Sequence, residues 1–501
     1  MTTPEEDKQG QPGAVSKESV EELSLIEEAI QATKQTDEKV MRDLMHTLAE
    51  EALKGTVRFD RNLNLSLRKA IDAIDGKLSE QVSAIMHDDK FKKLEGSWRG
   101  LKYLVKNSET NNELKIKALN LPKSELYKDL TKATEFDQSE IWRKVYETEF
   151  GMPGGEPYGV LIGDFEISKH PEDIELLTKM SEVSAAAIAP FISSASPELF
   201  GFDSYTELSI PRDLGSIFST KEYIKWISFR DSDQSRFVTL TLPRVLARPP
   251  YGSSTKRIEE FTFEEAPIDE KGQTKQMNHD DFCWMNAAYV LGTRMTNAFS
   301  ETGFCVRIRG KEGGGQVKDL PTYIFLSDDG DLDQQCPTEI GITERRSGEL
   351  DRLGFLPLCH YKNTDYAVFF GGQTAHKPKI YDTEDATNNA KICARLPYIM
   401  ATARFGHYLK VMCRDKIGSF MEANNLEKWL NHKWILQYVN ANEEASSEMK
   451  AKFPLAEASV EVKPVPGSPG EYNAVALLRP WLQLEKLTTS MRLVARIPKK
   501  I

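Results

Sequence analysis

The chain has 501 residues, of which 40% are hydrophobic and 28% are charged, and its formal net charge is −11. A chain this long exceeds the size at which one hydrophobic core stops growing, so we expect two or three packed modules. No apolar run is long enough to cross a bilayer, and the acidic N-terminus does not resemble a signal peptide. The sequence therefore argues against a membrane protein and predicts a cytoplasmic one. The acidic balance also argues against a nucleic-acid partner.

Six cysteines are scattered along the chain without a CxxC pair. Scattered cysteines beside apolar neighbours are typical of buried free thiols in a reducing compartment. Neither an HExxH sequence nor a Ser/His/Asp order is present, so we expect no metal, no cofactor and no enzymatic activity. The charge is unevenly spread, because residues 1–55 hold 13 acidic and six basic side chains whereas residues 486–501 hold five basic ones and no acidic one.

The first 55 residues divide into a tail and an arm. Residues 1–15 are polar and too poor in apolar groups to fold, which predicts disorder. Residues 16–55 are expected to form N-terminal helices and a linker arm. The first of these helices carries an apolar stripe whose members recur at helical spacing: Val20, Leu23, Ile26 and Ile30.

Residues 56–110 are predicted to be mainly helical and to bind a partner. The helix expected over residues 65–86 carries more apolar side chains than a free surface should expose, among them Ile71, Ile74 and Leu78. The next helix, over residues 90–106, places Leu94, Trp98, Leu101 and Val105 on one face. We expect this face to bury the tryptophan.

Residues 111–455 alternate between strands and helices, beginning with a strand expected at 114–119. This alternation predicts a mixed α/β core of two or more modules. Two long helices are expected to close it, at 384–418 and 425–441. Residues 456–501 return to strand character, and the Pro/Gly-rich turn at 464–470 between two valine-containing runs predicts a C-terminal β-hairpin.

Three features suggest other functions. Asp164 follows an apolar strand and could serve an α/β hydrolase or transferase, although Asp and Gly at this position are common turn residues. Cys359 and His360 could form a nucleophile and base, but adjacent residues of a strand point to opposite faces. The basic and aromatic side chains of the helix at 384–418 could make a nucleic-acid or small-molecule scaffold, although a packed helix explains them better.

Six segments along residues 90–440 are informative together: LEGSWRGLKYLV (94–105), GDFE (163–166), LPRVLARPPYG (242–252), RGKEGGGQVKDLPTY (309–323), GFLPLCHYKNTDYAVFFGGQ (354–373) and LPYIMATARFGHYLKVMCRDKIGSF (396–420). They resemble, in the same order, segments of the large sheath subunit of type VI secretion systems. Six separate matches in one order are very improbable by chance.

The resemblance implies a structural protein with core domains like those of phage tail sheaths. It implies a heterodimer with a small sheath subunit, and many copies in a helical sheath of hexameric rings. The sheath would enclose an inner tube protein, meet baseplate components and contract to propel tube and effectors. An AAA+ unfoldase would then dismantle it.

Three sets of residues are expected to make these contacts. The stripe of Val20, Leu23, Ile26 and Ile30 would bind the unfoldase. Strands shared between subunits would include Val57, Phe59, Val460, Val462, Val475 and Leu477. By similarity to phage sheath proteins, the helix at 425–441 would face the tube through Glu427, Lys428, His432 and Lys433.

Overall fold

The structure is a computed structural model that describes residues 63–252, 255, 261, 263–266, 275–327, 330–416, 423–442, 444–464, 472–481 and 491–496. The chain divides into two compact units. The first comprises residues 1–86 and 251–265, and the second comprises residues 87–250 and 266–501. In the described part of the chain, no helix is both long and apolar enough to cross a membrane.

The first unit contains helix α1 (Leu63–Met86). Its position agrees with the helix that the sequence predicts over residues 65–86. Ile71, Ile74 and Leu78 are all exposed along it. These side chains form the apolar stripe that the sequence pattern indicates.

The second unit contains the remaining described helices and all the described strands. Its α-helices are α2 (Asp89–Lys106), α3 (Lys123–Lys132), α4 (Glu140–Trp142), α5 (Pro171–Ala187), α6 (Leu214–Phe218), α7 (Ile224–Asp231), α8 (Ala287–Thr302), α9 (Glu344–Arg352), α10 (Glu384–Cys393), α11 (Leu396–Lys416), α12 (Ala423–Trp429) and α13 (Ser447–Lys452). Helices α4 and α12 continue as π-helices, Arg143–Gly151 and Leu430–Trp434. Short 3-10 helices are Phe136–Gln138, Pro197–Phe200, Tyr205–Ser209, Lys221–Tyr223, Asp233–Phe237, His279–Asp281 and Ile435–Tyr438.

A six-stranded sheet forms the centre of this unit, in the order β1-β2-β3-β9-β10-β6. Four neighbours run parallel: β1 (Leu161–Ile167), β2 (Phe191–Ala195), β3 (Val238–Leu242) and β9 (Phe355–His360). Two antiparallel strands complete the sheet: β10 (Ala367–Phe369) and β6 (Gln316–Val317). Small two-stranded ladders join β4 (Val245–Leu246) to β5 (Trp284–Met285) and β7 (Tyr323–Leu326) to β8 (Leu332–Gln335).

Successive residues of the central strands enter two different cores. Phe191 of β2 packs in the core that contains α5, whereas the next residue, Ile192, packs in the core that contains α8. Phe355 and Leu356 of β9 divide in the same way. This alternation follows from the two-residue period of a strand, and it explains why every residue of β2 and β3 is buried.

The C-terminal sheet is antiparallel, with the order β11 (Leu455–Pro464), β12 (Tyr472–Pro480) and β13 (Met491–Arg496). Val460 and Val462 of β11 are buried in a core with Phe405 of α11 and Trp434. The predicted β-hairpin is confirmed, and with it the mixed α/β class with helices toward the N-terminus.

One of the two predicted long helices is interrupted, whereas the helix expected at 425–441 runs through α12, its π-helical continuation and a 3-10 turn to Tyr438. The helix expected at 384–418 is two helices, α10 and α11, separated at Ala394 and Arg395. Pro397 lies in the first turn of α11, where a residue without an N–H is tolerated, so the chain restarts a helix there. The backbone N–H of Leu396 donates to the carbonyl of Gly372 at 2.7 Å instead of continuing α10.

Candidate partner-binding surfaces

Helix α2 contacts the rest of the second unit through its glycines. A Cβ added at Gly96 would lie 2.2 Å from the backbone oxygen of Trp284, and one at Gly100 would lie 2.3 Å from the ring of Tyr289. Neither approach leaves room for a side chain. The glycine face of α2 is therefore its inner face.

The apolar face of α2 consequently points outward. Leu94 is 56% exposed, Trp98 is 65% exposed and Val105 is 47% exposed. The expectation that this face buries Trp98 within the chain is wrong, because close backbone approach at Gly96 and Gly100 decides the orientation. The four-residue spacing of these glycines was the signal that the sequence pattern offered for the inner face.

A groove of about 2420 Å³ opens beside this face and is called here the α2 groove. Its lining includes residues from both faces of α2, the chain segment 112–122 and β1. Both Leu94 and Trp98 contribute to its wall, and Leu119 on the facing segment is also largely exposed. The groove thus presents apolar side chains to an incoming partner.

Segment 112–122 has no regular secondary structure and belongs to none of the strands of the described chain. The strand expected at 114–119 is therefore not formed there. The segment is anchored at its start, where the Asn111 carboxamide oxygen accepts from the backbone N–H groups of Glu113 and Leu114 at 2.7 and 2.8 Å. Lys115 pairs with Glu156 and Lys117 pairs with Glu149 further along it. These side-chain contacts attach the segment to the rest of the unit.

Strand β1 also lines the groove and is the outermost strand of the central sheet. The backbone N–H of Leu161 donates to the carbonyl of Pro190 at 2.9 Å, toward β2. Because N–H and C=O directions alternate along a strand, those of the next residue, Ile162, point away from β2. Such an edge can accept another strand.

An ionic cluster fixes the loops at the carboxyl end of the central sheet. Arg244 donates twice to the Glu339 carboxylate, at 2.7 Å each, and Nε2 of His279 lies 3.2 Å from it. Burial alone would raise the pKa of Glu339, but the bonds from His279 and Arg244 outweigh burial and lower that pKa. Arg244 and Glu339 pair within the chain and join two loops, which indicates a structural function.

The proposed catalytic pairs are not brought together. Cys359 is buried, and burial raises the pKa of its thiol to about 11. His360 follows on the opposite face of β9 and its Nε2 lies 2.7 Å from the carbonyl of Thr364. Asp164 lies beside the buried Tyr289 and, together with burial, raises the pKa of that phenol. Within the described residues, no three His, Cys, Asp or Glu side chains gather as a metal site.

The basic residues of α11 are packed against aromatic rings. The Arg404 guanidinium lies over the rings of Phe299 and Tyr408, at 5.0 and 4.7 Å. Lys410 lies 3.9 Å from the ring centroid of Phe150, and burial lowers the pKa of Lys410 to about 8. Arg404 and Lys410 thus contact aromatic rings within the chain, which agrees with the interpretation of α11 as a packed helix and not with a nucleic-acid surface.

The C-terminal sheet contains four of the predicted inter-subunit residues. Val460, Val462 and Val475 are buried, and Leu477 is half-buried. One side of β12 pairs with β11 and the other pairs with β13. The two remaining residues of this set, Val57 and Phe59, lie outside the described residues, as do Val20, Leu23, Ile26 and Ile30.

The four residues expected to face the tube do not share one environment. Lys428, His432 and Lys433 are exposed on α12 and its π-helical continuation. Glu427 turns toward the C-terminal sheet, where its carboxylate accepts from the backbone N–H of Val462 at 2.9 Å. The predicted surface therefore has three exposed members in the structure.

An α/β body with an open sheet edge beside a large apolar groove is suited to assembly with other chains, so it defines a structural subunit. The profile of the EvpB/VC_A0108 tail sheath N-terminal domain matches residues 68–376, and that of the EvpB/VC_A0108 tail sheath gpW/gp25-like domain matches residues 385–497. The type VI secretion system sheath protein TssC1 of Pseudomonas aeruginosa is 47% identical over 493 residues, which cover 98% of this chain and 97% of TssC1. The chain belongs to the EvpB/VC_A0108 tail sheath family and is a structural subunit of a type VI secretion sheath.

Proposed function

We propose that this chain is the large half of a two-protein sheath unit and that the small sheath subunit binds in the α2 groove. The observation that carries this proposal is the exposed Trp98 beside the open edge of β1. A large aromatic side chain in a groove is a common binding hot spot. Exposed apolar surface of this extent is unusual on a protein that works alone.

The mode of binding follows from the two sides of the groove. A strand of the partner would pair with the outward N–H and C=O of Ile162, which adds a strand to the central sheet. Apolar side chains of the partner would then cover Leu94 and Trp98. Backbone pairing would supply orientation, and burial of the tryptophan would supply most of the affinity.

Substitution of the groove wall tests this proposal. Changing Leu94 and Trp98 together to Asp should weaken binding of the small subunit by at least about a hundredfold, because two charges would be buried unpaired. Both side chains are exposed in the free chain, so the thermal unfolding midpoint should change little. The measurement is the dissociation constant of the purified pair.

Leu332→Asp supplies the matched control, because Leu332 is 79% exposed on β8 and is not part of the groove. It introduces a charge at an exposed leucine without touching α2 or β1. Wild-type affinity in the groove variant would refute the proposed site. Equal loss in both variants would show a general effect of surface charge instead.

We also propose that copies of this unit form a helical sheath of hexameric rings in the cytoplasm, around an inner tube and upon a baseplate. Contraction would propel the tube. The exposed set of Lys428, His432 and Lys433 remains our proposal for contact with the tube. Reversing Lys428 and Lys433 to Glu should reduce tube loading and secretion, whereas undiminished secretion would assign the tube to another surface.

Two expectations concern residues outside the described part of the chain. The stripe containing Leu23 and Ile26 is proposed to bind an AAA+ unfoldase, so changing both to Asp should leave contracted sheaths undissolved while assembly continues. The segment containing Val57 and Phe59 is proposed to add to the C-terminal sheet of another copy. Normal disassembly of the first variant, observed by fluorescence microscopy, would reject the unfoldase site.

We propose that the chain has no catalytic activity. The environment of Cys359 supports this, because a thiol with a raised pKa is a poor nucleophile at neutral pH. Cys359→Ser should therefore support secretion at the wild-type level. A large loss of secretion in a correctly assembled Cys359→Ser sheath would favour the enzyme hypothesis.

A further inference from the structure

The outer edge of β11 is occupied by side chains of α12 and its π-helical continuation. The Asn431 carboxamide makes two hydrogen bonds with one residue of that edge: its nitrogen donates to the carbonyl of Val460 at 2.6 Å, and its oxygen accepts from the N–H of Val460 at 2.8 Å. A carboxamide carries the same donor and acceptor as a peptide group. Asn431 thus takes the position that one residue of a neighbouring strand would occupy.

A second side chain extends this contact along the strand. Glu427 accepts from the N–H of Val462 at 2.9 Å, two residues beyond Val460. The Asn431 nitrogen also donates to the backbone carbonyl of Glu427 at 3.0 Å, which fixes the Asn431 side chain on its helix. They lie four residues apart and therefore reach the strand from the same helix face.

Both ends of the same edge are covered by other means. At the start of β11, the N–H of Asn440 donates to the carbonyl of Leu455 at 2.8 Å. At its end lies Pro464, which has no N–H to offer. Natural sheets commonly protect exposed edges with prolines and with covering elements. These features cover both ends of β11 and its stretch from Val460 to Val462.

We propose that Asn431 and Glu427 form a guard that keeps β11 from pairing with β11 of a second copy of this chain. Two copies of a ten-residue strand could pair edge to edge about a twofold axis, because an antiparallel pair is self-complementary. Such a pair would compete with ordered assembly. The guard satisfies Val460 and Val462 within the chain and removes the bonds that such a pair would gain.

The test compares self-association of the full-length chain with that of the Asn431→Ala variant by sedimentation velocity over a range of concentrations. Removing the carboxamide leaves the N–H and C=O of Val460 unpaired, so self-association should become about tenfold tighter. His432→Ala, at an exposed neighbouring position, is the control and should behave as the wild type.

Hydrogen exchange at the Val460 amide separates a guard from simple packing. If the guard proposal holds, this amide in Asn431→Ala becomes protected as concentration rises. Fast exchange at every concentration, with unchanged sedimentation, would overturn the proposal. If Asn431→Ala fails to fold, the same measurements are made on Glu427→Ala, which removes the hydrogen bond to Val462. Self-association of Glu427→Ala should become tighter, but by less than is expected for Asn431→Ala. Unchanged self-association would again overturn the proposal.

Discussion

The edge of β1 in the central sheet and the edge of β11 in the C-terminal sheet differ in what lies beside them. The edge of β1 faces a large groove, and the N–H and C=O of Ile162 point into the open side. The edge of β11 is covered by Asn431 and Glu427, which bond to its backbone. An assembly subunit must leave available the edge that its partner needs and cover the edge that would pair wrongly. The difference indicates that, of these two edges, the edge of β1 is the one available to a partner strand.

The largest loss of stability is expected from Gly96→Ala in α2, the helix that lines the groove beside the open edge of β1. The new Cβ would meet the backbone oxygen of Trp284 at 2.2 Å, and a backbone atom cannot rotate away. Helix α2 would have to move, so the free energy of unfolding should fall by about 3 kcal/mol. Urea denaturation of the full chain measures this change.

Gly76→Ala is the matched control for that substitution. Gly76 lies within α1, and a Cβ added there has no atom within 4 Å. Since alanine is the better helix former, this change should raise the stability of α1 by up to about 1 kcal/mol. Equal and small effects of the two substitutions would contradict the close packing of the glycine face of α2.

A smaller loss of stability is expected when the pH is lowered, because of His407, which lines the α2 groove. Burial lowers the pKa of His407 from 6.5 to about 4. The unfolded chain therefore takes up a proton at a higher pH than the folded chain does. The contribution of neutral His407 to the free energy of unfolding is complete above pH 6.5 and falls as the pH drops toward 4. At pH 5 it is reduced by about 2 kcal/mol.

His407→Gln isolates this contribution. Glutamine can still donate to the carbonyl of Ala187, which Nε2 of His407 contacts at 3.0 Å, but it does not titrate. Urea denaturation at pH 7 and at pH 5 should show a smaller acid-induced loss in the variant than in the wild type. An identical loss in both would assign the acid sensitivity to other groups.

The smallest effect is expected from Glu427→Gln on the guarded edge. A glutamine oxygen can still accept from the N–H of Val462, but the bond loses its charge assistance. The free energy of unfolding should fall by about 0.5 to 1 kcal/mol. Lys428→Gln, on an exposed neighbouring residue, should change it less. If Glu427→Gln lowered the free energy of unfolding by more than Gly96→Ala does, the expected order of these two effects would be wrong.

The sequence predicted the features that follow from chain periodicity. The alternation of strands and helices along residues 111–455 predicted the mixed α/β class, and the Pro/Gly turn predicted the C-terminal hairpin. The basic residues of α11 were also interpreted correctly as packed cations. Each of these signals lies in neighbouring residues and needs no knowledge of distant contacts.

The orientation of α2 and the guard on β11 could not be predicted in this way. Both depend on contacts between residues far apart in sequence. Trp98 sits on a regular apolar stripe that would suit either a core or an interface, and the position of Trp284 decides between them. Asn431 resembles any polar helix residue until Val460 is placed beside it.

Hydrogen exchange at β1 shows whether the small sheath subunit binds in the α2 groove. We expect the Ile162 amide, which points away from β2, to exchange slowly when the small subunit is bound and faster in the free chain. Residues 114–119, which also line the α2 groove, should become protected together with Ile162. A complex that forms with wild-type affinity while exchange at Ile162 and at residues 114–119 stays unchanged would show that the small subunit binds elsewhere.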